Sequence, residues 1–490
     1  MKNKKIWIIS IIVVSLLIHL TQYFLNKETY WNAGLLVNHA NIALNILEGK
    51  GLSNNLQIRE IIGTSQNADN RLYEPKDLDF STVDWKTSYP AFERNPGYGV
   101  ILAGIWRITG IYSYDAIRIL QIILNVLFLF IIYKLFLCIL KNERLAIAAM
   151  VIYTFCLPIS FLASYPSEEI WGFWSVILAL YFLISKISIR NFLLAGIILG
   201  IGSYIHEMPH ILSKYLWFIA FLYIFYKLNQ EILQVKIKYA AICVMAIYLI
   251  PILVLSPYII RNYIEFNKYI ETRYWGNHGN IAALGEFDEN FARLNDGFVM
   301  NMATQKISSH HITGKNGKLL DITSPKYFDV LAPEYRKYLE EHPYVKIQNA
   351  LKRIPKLLKS DQYWGIETLF NQKFLSWQLE KTKLEEATTA NTSTYLKEVG
   401  VDSWVILKLF KKAHDVIIVL FLGGVILFYF TLKHRNPEIA LLLSISILIY
   451  GGVLIGHVEA KYHLIPYVIS FFSFYLCFYS LLKNKIKRIN

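Results

Sequence analysis

Long apolar runs alternate with polar gaps along the 490-residue chain. A membrane-crossing helix needs roughly 20 largely apolar residues. Runs of that kind begin near Ile6, Tyr114, Leu145, Ile170, Phe192, Leu212, Tyr239, Ala413, Ile439 and Leu464. The pattern predicts an all-α polytopic membrane protein with about ten transmembrane helices. Basic residues fall in every second gap, at Lys2/Lys4/Lys5, Lys141/Arg144, Lys186/Arg190, Lys227/Lys236/Lys238, Lys433/Arg435 and Lys483/Lys485/Lys487/Arg488. The short opposite gaps, Ser164–Glu169 and Tyr204–His210, hold none, and His457–His463 holds only Lys461. Basic loops stay in the cytoplasm, so both termini are expected inside a multi-pass cell membrane protein.

Two segments on the expected outer side are too long to be simple connectors. The first, 26–95, is polar. Its early part, from Gly34 to Leu47, has helical spacing (Leu35, Ile42, Ile46) and ends at Glu48-Gly49-Lys50-Gly51, a glycine stop. The second runs from Arg261 to about Lys412, and Pro333–Leu358 within it predicts one or two amphipathic juxtamembrane helices. These boundaries divide the chain into a transmembrane module at 1–260 that includes the first loop, an extracytoplasmic segment at 261–412, and C-terminal helices at 413–490.

Composition refines this little. The chain is 54% hydrophobic and 15% aromatic, which suits spans with interfacial rings. Its +14 net charge points away from nucleic acid, since much of the excess lies in the gaps that set topology. Cys138, Cys156, Cys243 and Cys477 all lie in apolar segments, so neither a disulfide framework nor a thiolate metal cluster follows. Met1–Leu20 resembles a signal peptide but lacks a small-x-small cleavage site, and an uncleaved first span is expected.

Ionisable residues at a membrane boundary are costly to bury and therefore carry function by default. On the expected outer side these are Glu93-Arg94, Asp115 and Arg118, Glu168-Glu169, His206-Glu207-His210, Arg261, and Glu459/Lys461/His463. Arginine and lysine hold phosphate, while carboxylates supply a base or metal ligands. For each residue taken singly the alternative is snorkelling or a local ion pair. A divalent metal is compatible with Glu168, Glu169, His206 and Glu207, which could equally pair with basic neighbours. His206-Glu207-Met208-Pro209-His210 matches the H-E-x-x-H expression of zinc proteases. However, Pro209 disturbs the helical i, i+4 geometry that two ligands need, so an outer turn is the stronger expectation.

Several further stretches recur in a known order. They are Asn41-Ile42-Ala43-Leu44-Asn45-Ile46-Leu47-Glu48-Gly49-Lys50-Gly51, Arg94-Asn95-Pro96-Gly97-Tyr98, Arg118-Ile119-Leu120-Gln121 and Tyr165-Pro166-Ser167-Glu168-Glu169-Ile170-Trp171. Ala195–Gly202, Ser256-Pro257-Tyr258-Ile259-Ile260-Arg261-Asn262-Tyr263 and Lys461-Tyr462-His463-Leu464-Ile465-Pro466 follow. In this succession the chain resembles the GT-C membrane glycosyltransferases, and within them the bacterial protein O-mannosyltransferase-like and aminoarabinose-transferase-like branch.

The resemblance implies an inverting glycosyltransferase. It would move a sugar from a polyprenyl-phosphate carrier to a lipid, glycan or protein acceptor at the outer face of the membrane. It implies Glu168 as the catalytic acid–base residue, with Glu169 beside it and Glu93 as the alternative. It implies Arg94, Arg118, Arg261, Lys461 and His463 around the substrates; His206 and Glu207 join them as boundary residues only, since the family usually has arginine-proline at that turn. One departure stands out. The family's first-loop aspartate has no counterpart, because Asn32, Leu35, Asn38 and Asn41 occupy that window and no acid lies between Glu28 and Glu48. A transporter or flippase of a lipid-linked sugar would use the same basic residues without making a bond.

Overall fold

The computed structural model describes residues 4–25, 33–69, 74–284, 287–288, 296–314, 316–358 and positions 437, 438, 441, 442, 444, 445 and 448. Five described helices are long and apolar enough to cross a membrane: α1 (Lys4–Leu25) and, by their later places in the chain, those starting at Asp115, Glu168, Glu207 and Leu233. The runs expected from Ala413 and Leu464 lie outside the described residues, and only isolated positions of the run near Ile439 are described.

Helix α2 (Ala33–Leu47) forms as the sequence predicts and stops where expected. Gly49 and Gly51 take φ of +72° and +67°, a left-handed backbone that glycine adopts without steric penalty. Lys50 N donates to Asn45 O at 2.8 Å and closes the helix end. A two-residue strand pair, β1 (Ser53–Asn54) against β2 (Tyr89–Pro90), then ties the loop back on itself around α3 (Leu56–Asp69).

Helix α4 (Gly97–Thr109) and the span α5 (Asp115–Leu140) follow. The span expected near Leu145 is instead two short helices, α6 (Glu143–Thr154) and α7 (Leu157–Ser164), broken at Phe155–Cys156. Pro158 explains the break, because it cannot donate to a preceding turn and sits in the opening turn of α7. Beyond them come α8 (Glu168–Ser185), the shorter apolar α9 (Ile189–Ile205), α10 (Glu207–Lys227) and α11 (Leu233–Phe266).

At 34 residues α11 is about 50 Å long, well beyond the roughly 30 Å of hydrocarbon. Its far end, with Arg261 and Phe266, therefore reaches into the loop layer. There Tyr89 and Phe92 of the first loop share one apolar core with Ile270, Ile281, Val299, Tyr327 and Phe328, and Phe266 packs on it. Short helices α12 (His278–Leu284), α13 (Asp296–Ser309), α14 (Ala332–Glu341) and α15 (Val345–Leu358) complete this layer. The described parts of the two long polar segments thus fold together at one end of the bundle.

Candidate active site

The site sits where α2, α8 and the α9–α10 turn meet beneath the loop layer. Glu168 opens α8, where its charge suits the helix N-terminus. Gln121 on α5 fixes the preceding turn, donating to Leu162 O and Tyr165 O at 3.2 and 3.0 Å while accepting from Tyr98 Oη at 3.0 Å. His39 of α2 comes in from the other side. Its Nε2 lies 3.0 Å from Glu168 Oε2, at ion-pair distance but without the alignment of a hydrogen bond.

His39 is 1% exposed and Glu168 9%, so the imidazole and the carboxylate are buried together. Besides His39, the fields of His206 and Arg94 reach Glu168. Asn38 Oδ1, His39 Nδ1 and Trp171 Nε1 are also buried without a hydrogen-bond partner in the protein. Buried polar groups are normally satisfied. Leaving several unsatisfied beside a carboxylate is a costly arrangement that a polar ligand would relieve.

His206 caps α10 in extended conformation (φ −142°, ψ 147°), and its Nδ1 accepts from Met208 N at 3.1 Å. The ring lies against α8, because a Cβ on Gly172 would come within 2.8 Å of Nδ1. His210 belongs to the first turn of α10 and meets Glu271 at 2.9 Å. The two histidines of the H-E-x-x-H match therefore do not share one helical face, which agrees with the turn that Pro209 predicts. Glu207 pairs with Arg273, and Glu169 accepts from Ser167 Oγ at 2.6 Å. Glu168, Glu169, His206 and Glu207 consequently do not converge as a ligand set. Among the described residues no group of three or more His, Cys, Asp or Glu is placed to hold a metal ion.

Consecutive residues of the 93–95 loop take different roles. Glu93 is engaged within the first loop, with Arg59 at 3.3 Å and Tyr89 Oη at 3.4 Å. Burial pushes its carboxyl above the ordinary range, against the pull of Arg59 and Arg94. Asn95 donates to Ser203 O at 2.7 Å and anchors the loop on α9. Between them Arg94 stacks over Trp275, 5.2 Å from the ring centroid, and Trp275 Nε1 donates to Glu93 O at 2.8 Å.

Two other basic candidates are engaged elsewhere. Arg118 is buried beside Asp115 at 3.2 Å and Glu74 at 3.9 Å. Arg261 donates to Ala91 O at 2.6 Å and Leu52 O at 2.5 Å, holding the first loop against the end of α11. Lys461 and His463 lie outside the described residues.

The structure thus gathers Glu168, His206 and Arg94 and adds His39, which is not among the sequence-based candidates. No spacing marks His39. Its only signal is that it is the one ionisable residue other than Tyr30 between Glu28 and Glu48, the window where the resembling family carries its acid.

No family model matches the chain, and no curated protein matches it. Among solved structures it is similar to the oligosaccharyltransferase of Archaeoglobus fulgidus in complex with zinc and sulfate. That match has 12% identity and a TM-score of 0.48, covering 97% of this chain and 49% of that one. The same archaeon's oligosaccharyltransferase AglB, in complex with an inhibitory peptide and a dolichol-phosphate, matches at 14% identity and a TM-score of 0.48 over 99% and 52%. The chain spans about half the length of each.

Proposed function

We propose that the protein is a GT-C-type glycosyltransferase that moves a sugar from a polyprenyl-phosphate carrier to an acceptor at the loop-bearing face of the membrane. The observation that carries this reading is the buried Glu168–His39 contact, with His206 and Arg94 beside it, at the mouth of the helix bundle. A carboxylate there takes the proton from an acceptor hydroxyl or amine. The acceptor atom then forms its bond to the anomeric carbon as the bond from that carbon to the carrier phosphate oxygen breaks. The phosphate leaves with the electron pair, and Arg94 is placed to offset its charge.

His39 acts through Glu168 as a positioning residue, because its Nε2 lies 3.0 Å from the carboxylate. The basic alternation of the sequence supports putting the loop-bearing face outside the cell. The site residues on this reading are Glu168, His39, His206 and Arg94, with Lys461 and His463 kept from the motif resemblance.

The test is to incubate purified protein with polyprenyl-phosphate sugars and extracted envelope lipids, then measure free polyprenyl phosphate. An enzyme releases it; a flippase of the same lipid releases none. Glu168→Gln keeps size and polarity but removes the base, and should lower turnover by about 10²–10⁴ while sparing donor binding. Normal turnover in Glu168→Gln together with loss in Glu93→Gln would move the base to the first loop.

A further inference from the structure

Helices α14 and α15 follow one another, yet they are built the opposite way round. In α14 the apolar residues Tyr335, Tyr338 and Leu339 pack inward, and Arg336, Lys337, Glu340 and Glu341 face out. That is an ordinary water-facing surface helix. In α15 the buried positions are Val345, Asn349 and Arg353, four apart on one face. Two of these three are polar. Asn349 Nδ2 donates to Leu284 O at 3.2 Å and Arg353 Nη2 to Ala283 O at 2.7 Å, so carbonyls at the end of α12 hold the polar face.

Those bonds fix the roll of α15 and force its apolar face outward. Ile347, Leu351 and Ile354, spaced i, i+4, i+7, are 62%, 60% and 38% exposed, and Tyr344 ahead of them is 69% exposed. Exposed Lys346 and Lys352 flank this row, with their ammonium groups 5.6 Å over the Tyr335 ring and 5.4 Å over the Phe287 ring. An apolar stripe bordered by lysines matches a bilayer interface, with acyl chains under the stripe and anionic headgroups at its edges. α15 rests on α12, and α12 shares the loop-layer core on which Phe266, at the end of the span α11, packs.

We propose that α15 is a membrane-docking helix that seats Ile347, Leu351 and Ile354 in the headgroup region of an anionic phospholipid leaflet, and that α14 stays in water. The proposal is independent of the transferase reading and survives its failure.

The test places an environment-sensitive fluorophore on Leu351→Cys in a full chain whose four native cysteines are replaced by serine, reconstituted in nanodiscs. Ile347→Cys serves as a second site should the first variant fail to fold, and Lys337→Cys on α14 is the control. In phosphatidylglycerol-containing discs the α15 label should emit blue-shifted light. Spin-labelled lipid should quench it about twofold or more, with the control unaffected. Replacing the anionic lipid with phosphatidylcholine, or Lys346 and Lys352 with glutamine, should weaken that quenching.

A blue-shifted label that lipid spin labels do not quench would mean that protein covers the face, either segment 359–436 or a second copy, and would overturn the proposal. A water-like spectrum would overturn it too. Quenching equal in neutral and anionic discs would remove the headgroup selectivity.

Discussion

Glu93 and Glu168 are both buried carboxylates under the same loop layer, and they are surrounded in opposite ways. Glu93 has Arg59 at 3.3 Å, Tyr89 Oη at 3.4 Å and a main-chain oxygen tied to Trp275. Arg261 nearby is likewise engaged, with two loop carbonyls as acceptors. At Glu168 His39 comes to 3.0 Å without hydrogen-bond alignment, and Asn38 Oδ1 and Trp171 Nε1 are buried with no hydrogen-bond partner among the described residues. The difference teaches where binding energy is stored. A fully partnered carboxylate has its interactions already made and holds a loop in place. An incompletely partnered one, kept buried by its scaffold, has them left to make with a substrate.

The sharpest test of this contrast is a double-mutant cycle in the glycosyl-transfer assay. Glu168→Gln and His39→Gln should each depress turnover, and the double variant should lie within about tenfold of the worse single one, because the pair acts as a unit. Losses that multiply would show that His39 acts independently of Glu168.

Next in size is Arg261→Ala. It strands the carbonyls of Leu52 and Ala91 and should cost about 1.5–3 kcal/mol of stability, read as a lower melting temperature in detergent. Unchanged stability with weakened donor binding would instead assign Arg261 to the carrier phosphate and erase the distinction drawn here.

A third effect lies at the turn after α11. Hydrogen bonds from His210 and Lys214 hold the Glu271 carboxyl at about 2, below its ordinary 4.5. The folded protein therefore binds this proton more weakly than the unfolded chain. The stabilisation is complete above pH 4.5 and fades as pH falls toward 2. Melting temperatures of Glu271→Gln should show a flatter acid limb than wild type over that interval.

The smallest change is expected from Glu93→Gln. Burial raises the Glu93 carboxyl, so the folded state favours its neutral form and stability declines as pH rises past the ordinary 4.5. The amide removes that slope and should leave turnover intact. A large loss of turnover would relocate the proton acceptor.

Local signals account for much of the architecture. The glycines at 49 and 51 end α2 where a left-handed residue is needed, and Pro209 forecasts a turn rather than a ligand helix. They succeed because each rule acts within a few residues. The run expected near Leu145 as one helix is divided into α6 and α7 because Pro158, a single residue, lacks the donor a continuous helix needs there.

Sequence by itself determined which segments are apolar enough to span, where the basic gaps lie, and that Glu168, His206 and Arg94 stand at boundaries where charge is costly. It could not pair them, because the contacts run between residues far apart in the chain: 39 with 168, 172 with 206, 94 with 275. Only tertiary packing decided that His39, on an otherwise uncharged helix, is the neighbour of Glu168. It also decided that Glu93 is engaged by Arg59 and Tyr89, while Arg94 next to it stacks over Trp275. Amphipathic spacing in α15 is visible in the sequence, but which face turns outward was set by the two carbonyls of α12 that hold its polar side.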